Sequence, residues 1–211
     1  MLMDFGIGAL LSVLFTRLFG IETNIFHIFA GAFFAVLPDM DVPFELVKRK
    51  KLGGKEHGFH REYTHYPIFY IPLCFLVLVT FGGFWASLLA SCLLFHTLHD
   101  CIWMGWGLRL LWPFSRKRYK FFSDKEGFWS KRLLCSWNDQ ELKSVSLQYG
   151  LDNWFSQYIR FKPVCHEEIM IKHMSGNRFA RRVKFISPLL VEILVFLFGV
   201  SVVARVLIGQ Q

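Results

Sequence analysis

The sequence predicts an all-α integral membrane protein: a bundle of four to five embedded helices with a basic, partly helical cytoplasmic cap. Three observations lead there. Of 211 residues, 54% are hydrophobic, and 24 are phenylalanine. Mean hydropathy is +0.37, and a soluble domain of this length would struggle to bury that much apolar surface. The basic residues are also segregated. Of 24 lysines and arginines, six lie in 42–64 (Lys48, Arg49, Lys50, Lys51, Lys55 and Arg61) and sixteen in 105–185, which leaves Arg17 and Arg205.

The apolar runs come in order. Residues 5–19, "FGIGALLSVLFTRLF", form the first, and 20–24 a short polar break. Residues 25–38 form the second. Both are short against the ~20 residues that span ~30 Å of hydrocarbon, so they either tilt, embed partway or pair as a buried hairpin. Residues 66–81 and 84–104 flank Gly82-Gly83 and suit two helices joined by a tight turn. Residues 186–208, "ISPLLVEILVFLFGVSVVARVLI", make the clearest transmembrane helix. If 66–104 is a hairpin, both basic segments emerge on one side, which the positive-inside rule makes cytoplasmic. A multi-pass protein of the inner membrane is expected, divided as 1–115 (embedded), 116–185 (surface cap) and 186–211 (last helix). No removable signal peptide is expected.

A net charge of +8 would suggest nucleic acid in a soluble protein. Here "WPFSRKRYKFF" interleaves aromatic and basic residues beside apolar helices, so membrane lipid is the expected partner and nucleic acid is not. Asn138 and Glu141 fit a capping box, and Gly150 fits a helix stop. "CHEEIMIKHMSGNRFARRVKF" reads as an amphipathic helix. The five scattered cysteines, with Cys74, Cys92 and Cys101 in or beside apolar runs, point to reduced structural thiols.

Polar chemistry collects on the same predicted side. Asp39 and Asp41 end the second run, His60, Arg61 and His65 precede the third, and His96 and Asp100 lie near the end of the fourth. His96 and Asp100 are four apart, on one helix face. They fit either a ligand pair or a hydrogen-bonded packing pair. Pro38 and Pro43 suggest irregular backbone around "PDMD", where an extended conformation would point Asp39 and Asp41 the same way. All six ligand candidates, Asp39, Asp41, His60, His65, His96 and Asp100, are nitrogen or oxygen donors. They suit one or two divalent ions, zinc or manganese foremost and iron also. An ion would also offset the cost of burying such groups, roughly several kcal/mol each. Arg61 serves either as a phosphate grip or as a salt-bridge partner of Asp39, Asp41 or Glu62. His27 belongs near the opposite side, His99 has at most a hydrogen-bonding role beside the pair, and His57, His166 and His173 read as surface residues.

"LPDMDVP", "HREYTHYP" and "HTLHD" leading into "GWGLRLLWPFS" together resemble the YdjM-like family of membrane-bound, metal-dependent hydrolases. The resemblance covers roughly residues 25–115 and implies metal binding at those six positions, with Arg61 beside them. Glu62 stands where that family usually has glycine, and Tyr66 where it has serine. Members often carry a first-helix histidine near the same face; here Asp4 is the nearest candidate.

The expected function is hydrolysis of a phosphoester or other amphiphilic, phospholipid-like substrate at the cytoplasmic headgroup zone. Asp41 or Asp100 would accept a proton, and Arg61 would bind phosphate. Two alternatives stand beside it. One is a non-catalytic structural or interaction protein whose polar cluster knits helices together. The other is a metal or proton transporter, which the near-absence of ionisable groups in mid-run disfavours.

Overall fold

The computed structural model describes residues 2–41, 63–102, 107–123, 129–141, 144 and 188–209. The described chain is mostly helical: α1 (Leu2–Leu18), α2 (Ile25–Val36), α3 (Pro67–Phe81), α4 (Gly83–Ile102) and α5 (Pro188–Ile208). Short 3-10 turns at Leu37–Asp41 and Tyr63–His65 flank the second polar segment.

α1 and α2 form an antiparallel pair built on small residues. Gly8 meets Gly31 backbone to backbone, leaving no room for a Cβ on either. One turn on, the Ser12 hydroxyl donates to the His27 carbonyl at 2.7 Å, and further on the Thr16 and Thr23 hydroxyls meet at 2.6 Å. Small residues allow this approach, and the hydroxyls satisfy each other in an apolar setting. The capping box that starts α2 fixes the turn: Asn24 Oδ1 accepts from the His27 amide at 3.0 Å, while the Asn24 amide reaches His27 Nδ1 at 3.4 Å. His27 is therefore a cap at the far end, on the side that its spacing from Asp39 requires.

α4 packs its face of Leu88, Leu89, Cys92 and Leu93 into this pair and carries it on through His96 and Asp100. Cys92 Sγ donates to the Gly31 carbonyl at 3.5 Å. Phe19 and Phe84 meet edge to face with centroids 5.7 Å apart, so the turn after α1 and the Gly82-Gly83 turn share one end of the bundle. α5 lies parallel to α1, with Gly199 against Gly6 and Val203 and Val206 beside Ala9 and Val13.

Two helices, Gly83–Ile102 and Leu190–Ile208, are long and apolar enough to cross a membrane. α3 is shorter, and none of its described residues is buried. Phe69, Ile71, Phe75, Leu76, Val79 and Phe81 all stand exposed. A contiguous apolar face of this kind is foreign to a monomer in water and suited to lipid.

The all-α expectation needs correction. β1 (Arg118–Ser123) and β2 (Trp129–Trp137) pair as an antiparallel ribbon, with Lys120 opposite Cys135 and Arg118 opposite Trp137. Aromatic residues favour a pleated surface. The alternation is inverted, however: Arg118, Lys120 and Ser123 are the buried positions of β1, while Tyr119 and Phe121 are only partly covered. Reading the apolar residues as the inward face therefore conceals the strand. A bridge between Leu108 and Tyr119 ties the ribbon to the chain leaving α4. The capping box at Asn138 forms as expected, with Asn138 and Glu141 exchanging bonds of 2.7 and 2.8 Å. Gly150 and the helix expected over 165–185 lie outside the described residues.

Candidate metal centre

The site forms where α1 begins, α2 ends, α3 begins and α4 ends. Helix geometry sets two of its groups: His96 and Asp100, one turn apart, occupy the buried face of α4. Asp39 comes from the 3-10 turn after α2. Extended backbone was expected there, but Leu37–Asp41 forms a tight turn instead. Pro38 has no amide proton for the α ladder, and the Leu37 amide bonds the Phe34 carbonyl three residues back. Residues two apart in such a turn diverge, so Asp39 and Asp41 take different partners.

His65 is wholly buried and sits at the centre of the cluster. Its Nε2 lies 3.2 Å from Asp39 Oδ1, 3.4 Å from Asp100 Oδ2 and 3.3 Å from His96 Nε2. His96 Nε2 lies 3.8 Å from Asp39 Oδ1 and 3.7 Å from Asp100 Oδ2. Asp39, His65 and His96 thus each offer a ligand atom within 4.8 Å of one another. Asp100 approaches the same two nitrogens.

The partners behind the rings decide which way the imidazoles face. His65 Nδ1 is 2.9 Å from Thr64 Oγ1, and that hydroxyl donates to Asp41 Oδ2 at 3.1 Å. A hydroxyl that donates to a carboxylate is free to accept from Nδ1–H, which leaves the lone pair on Nε2. Behind His96 stands Asp4, 3% exposed, with Oδ1 at 3.4 Å from His96 Nδ1 and 3.1 Å from His99 Nδ1. The His96 contact is an ion-pair approach and not a hydrogen bond; a proton on Nδ1, facing that carboxylate, would leave His96 Nε2 bare. Two imidazole lone pairs and two carboxylates then converge at contact distance in a buried place. Such a set repels itself unless a cation or shared protons sit among its members.

The donor set fits a divalent ion. Tetrahedral coordination at about 2.0–2.1 Å puts ligand atoms about 3.3–3.4 Å apart. The triad edges of 3.2, 3.3 and 3.8 Å bracket that span. Nitrogen and carboxylate donors without thiolate suit zinc, manganese or iron.

Of the six ligand candidates, the fold brings together Asp39, His65, His96 and Asp100. Asp41 stands beside them through Thr64, and its Oδ1 is buried with no hydrogen-bond partner among the described residues. Burial pushes the Asp41 carboxyl above its usual pKa, against the opposing pull of His65 and the Thr64 bond. His60 and Arg61 lie outside the described residues, as does Glu62. Tyr66, a departure from the serine of the family pattern, is 1% exposed and stacks on Trp112 with centroids 4.9 Å apart. Arg109 donates to its hydroxyl at 3.1 Å and grips both oxygens of Asp139, joining the end of the ribbon to the start of α3.

Thr64 carries a role that the sequence reading had not assigned. Its signal was adjacency: a hydroxyl directly before the histidine in "YTH". Asp4, the nearest first-helix candidate, sits behind His96 and His99.

Residues 3–145 match the YdjM inner membrane protein family, more than half of the 211-residue chain. The chain belongs to this family. The match takes in α1 to α4, the ribbon and every residue of the cluster, so the YdjM assignment and the site geometry rest on the same stretch. No curated protein and no solved structure matches the chain.

Proposed function

We propose that this YdjM-family chain is a multi-pass inner-membrane hydrolase that uses a divalent ion at the cytoplasmic headgroup zone. The alternating directions of the five helices support that topology: a bundle with the cluster and the ribbon at one end and the α1–α2 and α3–α4 turns at the other. The basic segments attach at the cluster end, which supports a cytoplasmic site. They also favour an anionic, phosphate-bearing amphiphile as substrate.

One observation carries the reading. Asp39, His65 and His96 supply three donors, the number that a catalytic ion keeps while leaving a position open. A bound divalent ion would supply Lewis acidity and lower the pKa of water. The chain's own groups do the rest. Asp100 and Asp41 flank the triad, and one of the two would accept the proton of the attacking water. Thr64 and Asp4 hold the two imidazoles in their Nδ1–H tautomers. Arg61, two residues before the Tyr63–His65 turn, binds phosphate.

A second reading has an observation of its own. Asp100 Oδ2 reaches both nitrogens at 3.4 and 3.7 Å, so it can close a fourth position and make the ion structural. Turnover separates the two. Purified protein supplied with zinc or manganese is expected to release phosphate-bearing headgroup from a panel of phospholipids and phosphodiesters. The His65→Ala/Asp100→Asn variant should not. Equal turnover in that variant would end the mechanism, and metal binding without turnover on any substrate would favour the structural ion.

Asp4→Asn is expected to weaken divalent-ion affinity about 10–100-fold with helix content unchanged. Competition against a chromophoric chelator measures it. An unaltered affinity would show that His96 does not depend on its buried carboxylate.

A further inference from the structure

The far end of the bundle holds a second polar feature. Of 24 basic residues, only Arg17 and Arg205 lie outside the two basic segments, and both line one pocket. It has a volume of about 350 Å³ and is completed by Ile21, Thr23, Val206 and Gly209. The parallel packing of α1 and α5 brings the arginines together, because each stands in the last turn of its helix.

A basic residue in a last turn is ordinary, since it offsets the negative end of the helix dipole by about 0.3–1 kcal/mol. That accounts for each arginine singly but not for two on one concavity. Neither can shed its charge, and no acid lines the pocket. Glu22, the one acid in the 19–24 turn, makes no ion pair with either arginine among the described residues. The pocket also has two characters: Ile21 and Val206 offer apolar wall, while the guanidiniums and the start of α2 beyond Thr23 offer positive potential.

We propose that this pocket binds the phosphate group of an anionic ligand at the membrane face opposite the metal centre. Planar guanidiniums match phosphate oxygens in paired hydrogen bonds, and the apolar wall suits the glycerol and first methylenes of a lipid. A lipid headgroup and free phosphate share this chemistry, and the experiment tells them apart.

Full-length protein is placed in nanodiscs of phosphatidylcholine, of phosphatidylcholine with phosphatidylglycerol, and of phosphatidylcholine with added inorganic phosphate. Thermal stability is followed for wild type and Arg17→Gln/Arg205→Gln, and lipid retention is read by native mass spectrometry. The variant changes only exposed side chains, so it should fold. Wild type should gain stability from phosphatidylglycerol, and the variant should hold that lipid at least about tenfold more weakly. Stabilisation by inorganic phosphate alone, lost in the variant, would make free phosphate the ligand of the same site. A variant that is less stable by the same amount in all three discs, with lipid retention unchanged, would leave only dipole compensation and overturn the proposal. The basic cap is identical in both proteins, so its own lipid contacts cancel in the comparison.

Discussion

Purified protein is expected to carry a divalent ion that the His65→Ala/Asp100→Asn variant lacks. His65 Nε2 is the shared vertex of the cluster, with Asp39, Asp100 and His96 atoms at 3.2–3.4 Å. Removing it takes a ligand from the triad, and removing the Asp100 charge takes away the nearest replacement. Loss of a residue that merely orients a ligand weakens binding about 10–100-fold, so loss of the central ligand should exceed that and leave no ion after dialysis. Elemental analysis of the two proteins, purified side by side, reads the result. Equal metal in both samples, or none in either, would remove the basis of the proposed site. Because the variant deletes a buried ring, circular dichroism in detergent should accompany the measurement. Helix content is expected to persist, since α4 is held mainly by its apolar face.

The second large effect concerns the scaffold. Gly8→Val is expected to destabilise the bundle by about 3 kcal/mol. Even a bare Cβ at position 8 would collide with the Gly31 carbonyl, which is backbone and cannot swing aside. Parting α1 from α2 would stretch the Ser12–His27 and Thr16–Thr23 bonds and pull Asp4 away from His96. Melting in detergent should show a clear downward shift, with a parallel fall in metal affinity through Asp4. An unchanged melting curve would refute the close α1–α2 contact. Lower stability with full metal affinity would separate the scaffold from the site.

The first result tests whether the donors share an ion; the second tests whether helix contact through small residues delivers them. Both arise from one arrangement, in which polar residues at helix ends meet because the apolar lengths behind them pack.

Much of the helical organisation was legible in the chain. Apolar length marked the helices, Gly82-Gly83 marked the turn between α3 and α4, and segregated charge marked which ends belong together. The i, i+4 spacing of His96 and Asp100 survives in the fold, because a helix converts that spacing into a shared face. The capping box at Asn138 was readable for the same reason, as a local hydrogen-bond pattern. The ribbon at 118–137 was not. Its first strand buries Arg118, Lys120 and Ser123, and a strand whose inward residues are two cations and a serine carries the wrong hydrophobic phase. The extended backbone expected at "PDMD" failed because α2 tightens into a 3-10 turn where Pro38 interrupts its ladder.

By itself, then, the order of residues determined which segments are helical and which ends bear donors, since hydropathy and helical period act over a few turns of chain. Tertiary packing alone decided that Asp4 stands behind His96, that Thr64 links His65 to Asp41, and that Arg17 and Arg205 line one pocket. Those pairings join residues far apart in sequence, or depend on how a ring rotates within its neighbours. Their energy comes from contact geometry, which no local pattern encodes.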